Sequence, residues 1–259
     1  MCGWANAPVL AGSPRTTLGR ESQTRSMATF VLVHGAMLGG WSWREVTHKL
    51  LGRGHAVFTP TLTGQGERQH LLTAEVDVET HVRDILQVLH FEDLQQVHLV
   101  LHGYAGILAG PIAAGTDRLS SVTYLGAYLA DPGDCLRDVA PDGRAGEADW
   151  AITDQALRLW ALERATAFPR RWAEQPVDYD PAPLADLPQA YVRHTQPPLP
   201  SLEPSWQAAV LAGWDTHEIA CGHAMMITAP RQTARLLETT GPREGLPPIF
   251  PASPRIALW

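Results

Sequence analysis

The sequence predicts an α/β fold, with a mostly parallel, doubly wound sheet and a helical cap. Three observations predict it. Short apolar, β-branched runs alternate with stretches of helical periodicity. The early runs each end at a turn marked by glycine or proline. The alternation breaks once, late in the chain, over residues 131–187. Strands covered by helices on both faces read as continuous apolar runs, which is the pattern here.

The first run, residues 29–33, stops at His34-Gly35-Ala36, and the second, residues 55–59, stops at Pro60. The third, 97–101, runs into Gly103, and the fourth, 121–125, stops at Gly126. Helices are expected at 43–51, at 78–89 and at 104–114. The second of these places Val78, Val82, Ile85, Leu86 and Leu89 on one face. The interrupting segment is proline-broken but helical over 150–165, and it reads as a cap over the strand ends, where parallel sheets bind ligands. Strands then resume at 190–193 and 214–219, followed by a last helix at 229–238.

The chain has 259 residues, enough for one large domain, here residues 27–240. Residues 1–26 are expected to be a loose, disordered extension, and 241–259 an irregular, proline-rich tail. A 45% hydrophobic, 18% charged composition is that of a globular protein. A net charge of −7 without a dense basic patch argues against nucleic acid or an anionic membrane surface as partner. No apolar run approaches the roughly 20 residues that span a bilayer. The three cysteines, Cys2, Cys135 and Cys221, have neither metal-ligand nor disulfide spacing, which fits a cytoplasmic protein. Gly64 and Gly66 form no dinucleotide fingerprint, and no metal, redox group or other cofactor is implied.

Four segments carry a family resemblance: FVLVHGA at 30–36, GGWSW at 39–43, TPTLTGQGE at 59–67 and CGHA at 221–224. In this order the chain resembles the α/β-hydrolase superfamily, in the branch of plant hydroxynitrile lyases and methyl-salicylate-type esterases. The resemblance implies an α/β-hydrolase fold. It also implies a serine nucleophile in the turn after the third strand, in the form GHSYGG. This chain reads LHGYAG at 101–106, so the serine position is Gly103, which offers no Oγ for covalent chemistry. Leu101 and Ala105 also depart from the motif, whereas a deliberate serine-to-glycine change would leave such neighbours intact. The family's acid falls near Pro197, or in other hydrolases after the preceding strand, at Gly126. Both positions lack a carboxylate.

The resemblance leaves His223 as the base, and a histidine's usual pKa near 6.5 suits general acid–base work. Backbone N–H groups of Ala36 and Tyr104 are the implied oxyanion donors. Asp131, Asp134 and Glu203 are candidate replacement acids, although loop carboxylates are more often simply solvated. Trp150, Trp160 and Trp172 are expected to border an apolar, aromatic-tolerant pocket, although at helical spacing they also fit as packing. His34 and His102 are expected to hold loops, and His194 and His217 have no identifiable partner.

Four functions remain open. One is a non-hydrolytic enzyme of lyase, cyclase or isomerase type. Its partner would be a hydrophobic small molecule, and the resemblance points to an aromatic or polyketide-like one from secondary metabolism. Another is a catalytically inactive small-molecule-binding protein. The third is an esterase whose serine was deliberately replaced, and the fourth is a slow hydrolase in which His223 activates water directly. A homodimer is compatible with each.

Overall fold

The computed structural model describes residues 27–140 and 150–241, so the expected extension and all of the expected tail but Gly241 lie outside the described residues. Six strands form one parallel sheet: β1 (Thr29–Val33), β2 (Ala56–Phe58), β3 (Val97–His102), β4 (Leu119–Leu125), β5 (Gln189–His194) and β6 (Asp215–Ile219). Their order is β2-β1-β3-β4-β5-β6, so the chain winds outward in both directions from β1 and β3. That reversal opens a crevice at the C-terminal strand ends. β3 is buried along its whole length, and two apolar clusters lie on the faces of the sheet.

The helices are α1 (Arg44–Leu51), α2 (Val78–Phe91), α3 (Ala109–Ala114), α4 (Leu136–Val139), α5 (Gln155–Leu162), α6 (Arg170–Glu174), α7 (Ala182–Ala185), α8 (Glu203–Leu211), α9 (Met225–Thr228) and α10 (Pro230–Thr240). α2 starts where Asp77 accepts the Thr80 N–H at 2.7 Å and Thr80 Oγ1 accepts the Asp77 N–H, a reciprocal cap. It buries the expected Val78, Val82, Ile85 and Leu89.

Three expectations change. The stretch 104–114 is not one helix. It is a 3₁₀ segment, Gly103–Leu108, followed by α3. The cap helix is shorter than 150–165 because Asp154 caps it, accepting the Leu157 N–H at 2.8 Å, and because Ala151 has a left-handed φ of 51°. Helix α8 is not visible in the sequence pattern. It follows a proline-rich turn, and its residues Ala208, Val210 and Leu211 do not form a one-sided stripe.

Candidate active site

The site forms where the ends of β1, β3, β4 and β5 meet the loop after β6. β3 passes straight into a tight turn at Gly103, whose φ of +54° lies in the left-handed region that glycine enters without strain. Gly126, just after β4, makes the same excursion with φ +48°. The Gly103 carbonyl accepts the Tyr128 N–H at 3.1 Å, and the Gly126 N–H donates to Val192 O at 2.8 Å, so the two turns are locked to the sheet.

His223 stands between these two glycines. A β-carbon on Gly103 would lie 3.4 Å from His223 Nε2, and one on Gly126 would lie 3.2 Å from His223 Nδ1. The His223 carbonyl accepts from Met225 N at 2.8 Å and from His102 Nε2–H at 3.1 Å, which fixes the loop and the His102 tautomer together. The His102 ring lies 4.5 Å from that of His223. The His194 ring, at the end of β5, lies 5.0 Å away on another side. Nδ1 of His102, of His194 and of His223 are enclosed without a hydrogen-bond partner among the described residues.

Burial dominates the electrostatics. It holds His223 well below its ordinary pKa, and the neighbouring His102 and His194 push in the same direction. Burial alone takes His194 to about 4. His102 also falls to about 4, mainly through burial and against its bond to the His223 carbonyl. The imidazoles are therefore neutral at pH 7, and His223 can accept a proton but is not a standing acid.

The loop after β1 is held by His34. Its Nδ1–H donates to Gly35 O at 2.8 Å, and its Nε2 accepts the Leu62 N–H at 3.0 Å. The cap clamps this loop through Thr166, whose N–H donates to Met37 O at 3.1 Å and whose Oγ1 accepts the Gly66 N–H at 3.2 Å. Neither the Ala36 nor the Tyr104 amide donates to a backbone carbonyl among the described residues. For Tyr104 this follows from its place at the start of a helical segment. The Tyr104 hydroxyl is committed elsewhere. It donates to His81 Nδ1 at 2.8 Å, while His81 Nε2–H donates to Thr63 O at 3.0 Å.

The three candidate acids are not brought to His223. Asp134 accepts the Asp131 N–H at 3.0 Å in an exposed turn. Both residues line a separate cavity of about 540 Å³ with Tyr124, Tyr179 and Trp214. Glu203 pairs with Arg193 at 3.3 Å. Loop carboxylates with water or a cation available have no reason to turn inward, and the groups whose charge bears on His223 are His102 and His194.

The tryptophans divide. Trp150 is buried, and its carbonyl accepts the Ala224 N–H at 3.1 Å, beside His223. Trp160 is half-buried, edge-on to Trp41 at 5.1 Å with Arg164 over its ring. Trp172 corrects the pocket-lining expectation: it is 0% exposed, its Nε1–H donates to Val76 O at 2.7 Å, and His81 and Phe168 enclose its ring. It is core, because a bulky ring on a short cap helix gains more by inserting between elements than by edging a cleft.

A family model described as the alpha/beta hydrolase family matches residues 30–236. The chain belongs to that family. Among curated relatives of this alpha/beta hydrolase is a carbendazim hydrolyzing esterase from Nocardioides sp. (strain SG-4G). It is 30% identical over 251 residues, covering 83% of this chain and 100% of the relative. An extracellular alpha/beta-hydrolase from a Paenibacillus species superposes with a TM-score of 0.70 at 20% identity, covering 83% of this chain and 100% of that one. Tomato methylketone synthase I, complexed with 2-tridecanone, superposes at 0.65 with 14% identity, covering 82% and 97%. At such identities the superpositions speak for the fold. The alpha/beta hydrolase relatives are mostly named as esterases and hydrolases. No helix among the described residues is long and apolar enough to cross a membrane.

His194 is the site neighbour that sequence reasoning missed. The available signal was a histidine at the C-terminal end of a parallel strand, directly before the loop in which the family's acid is expected.

Proposed function

We propose that this alpha/beta hydrolase works without a serine nucleophile, moving a proton on a hydrophobic small molecule. His223 Nε2 is the base, and the N–H groups of Ala36 and Tyr104 stabilise the developing oxyanion. The observation that carries this reading is the 3.4 Å between His223 Nε2 and the β-carbon position of Gly103. The base is in place, and nothing at Gly103 can be acylated.

The depressed pKa of His223 narrows the chemistry. A buried imidazolium is unfavourable, so the proton it takes must be acidic already and is held only briefly, before the carbon is reprotonated or the proton exchanges with solvent. An activated C–H beside a carbonyl, or an enol, meets that condition. Lyase, cyclase and isomerase reactions on aromatic or polyketide-like substrates belong to this class. That the same fold serves an enzyme named methylketone synthase as well as named esterases is compatible with it.

The test uses two probes. A fluorophosphonate should leave the protein unlabelled, and stoichiometric labelling would overturn the reading. Proton–deuterium exchange into 1-phenyl-1,3-butanedione should be accelerated, and His223→Ala should remove about 10²–10⁴-fold of that rate. A second reading, a non-catalytic binding protein, is favoured by the absence, among the described residues, of any carboxylate acting on His223. It is preferred if His223→Ala weakens binding of the diketone while native protein never accelerates exchange.

A further inference from the structure

We infer that His194 takes the place of the missing acid, accepting the Nδ1–H of His223 through one water molecule across the bare α-carbon of Gly126. The inference rests on the reading of His223 as the base. It adds the residue that would position that base.

The geometry converges on one point. The position of a β-carbon on Gly126 is 3.2 Å from His194 Nδ1 and 3.2 Å from His223 Nδ1, so both nitrogens face the same bare backbone atom. The rings are 5.0 Å apart between centroids and inclined at 62°, an edge-to-face arrangement rather than a stack. Both Nδ1 atoms are enclosed without a protein partner among the described residues. Two enclosed imidazole nitrogens, each able to donate or accept, are satisfied together by one bridging water.

The roles within the pair follow from chemistry. For His223 to act as a base, its Nε2 must carry the lone pair, so its proton must sit on Nδ1. His194 then accepts through Nδ1 and carries its own proton on Nε2. His194 can keep this role at neutral pH, because burial lowers its pKa to about 4 and leaves it uncharged. His102 cannot substitute. Its Nε2–H is committed to the His223 carbonyl, and its Nδ1 faces the Gly35 α-carbon, where a β-carbon would lie 2.7 Å away. On its outer side His194 borders a cavity of about 230 Å³ with Thr195, Leu199, Glu203 and Trp206. The Glu203 carboxylate there is held by Arg193. In a conventional triad the carboxylate holds the histidine in the correct tautomer and orientation. A neutral imidazole can fix the tautomer but adds little stabilisation of an imidazolium, which matches a site that never keeps a charged base.

The test reads tautomers directly, with no substrate present. Long-range ¹H–¹⁵N spectra of uniformly labelled protein at pH 7 should place the His223 proton on Nδ1 and the His194 proton on Nε2. His194→Phe keeps a ring but removes the acceptor, and His223 should lose its Nδ1–H signal. His194→Gln, which supplies an amide oxygen, should retain it. A native His223 protonated on Nε2, or a His223 spectrum unchanged by His194→Phe, overturns the inference. If His194→Phe does not fold, as judged by the His34 and His98 resonances, the native tautomers still decide. Because the readout needs no turnover, failure of the enzyme reading and failure of this pairing are separate results.

Discussion

His223 Nε2 lies 3.4 Å from the β-carbon position of Gly103, and the backbone there already has the left-handed φ of +54°. On the other side of the ring, Gly126 stands in the same relation to Nδ1 at 3.2 Å. The imidazole is thus framed by two glycines, which the proposed function takes as the positions of a nucleophile and an acid.

Rebuilding those side chains tests the frame. Gly103→Ser alone should give weak labelling by a fluorophosphonate, because no carboxylate among the described residues orients the histidine. Adding Gly126→Asp should raise esterase turnover of p-nitrophenyl acetate, by up to about 10⁴-fold over the single variant. Aspartate enters left-handed backbone more readily than most residues. His194, whose Nδ1 is also 3.2 Å from the new β-carbon, must shift to admit it. A folded double variant that stays inert to both reagents would mean that Gly103, Gly126 and His223 are not the places of a triad.

The sheet was legible mainly through β1 and β3, which are largely apolar runs. The segment expected at 29–33 is β1 to the residue, and the others shift by one or two positions at their ends. His223 was legible because a short motif, CGHA, places it just ahead of the final helices. The acid search failed for a physical reason. Asp131 and Asp134 follow β4 and Glu203 opens α8 beyond β5, but sequence does not show that Arg193 reaches Glu203 or that Asp134 turns back to cap Asp131. His194 escaped notice because its importance comes from the strand β5 lying beside β4, which brings it to Gly126. That is a property of sheet order rather than of any local pattern.

The cap should depend on Thr166. Thr166→Val keeps the shape of a side chain that is 7% exposed but removes the acceptor of the buried Gly66 N–H. Leaving that donor unpaired should cost about 1–3 kcal/mol in denaturant unfolding. Hydrogen exchange at Ala36, Met37 and Leu38 should also quicken, since the same residue ties the cap to Met37 O. Unchanged exchange there would mean that the cap is held by its apolar contacts alone.

Trp172 should behave as a core residue. Trp172→Ala empties a fully enclosed site between His81 and Phe168 and removes the indole N–H that donates to the Val76 carbonyl. A loss of about 3–5 kcal/mol is expected from chemical denaturation. Its fluorescence should not respond to ligand, whereas Trp160, half-buried against Trp41, remains free to report. A ligand-induced emission change that disappears in Trp172→Phe would return Trp172 to the pocket wall.

The histidines set the acid limit of stability. Burial lowers His34, His102 and His194 to about 4 and His98 to about 3, and it holds His223 well below the usual 6.5. In the unfolded chain these rings take up protons near 6.5, while in the folded chain they stay neutral. The unfolded state therefore binds more protons below pH 6.5, and stability rises with pH there. The contribution is complete above about pH 6.5 and is lost as pH falls toward 4, at about 1.4 kcal/mol for each unit of depression in each ring. Thermal midpoints should begin to fall below pH 6.5, ahead of ordinary carboxylate titration, and His194→Phe should make that slope shallower. Diketone exchange should be flat from pH 6 to 8, without the inflection near 6.5 that an unperturbed histidine gives, because His223 is already neutral throughout. An inflection at 6.5 would place His223 in water during turnover, and with it would go the argument that a buried, neutral base selects a proton that is already acidic.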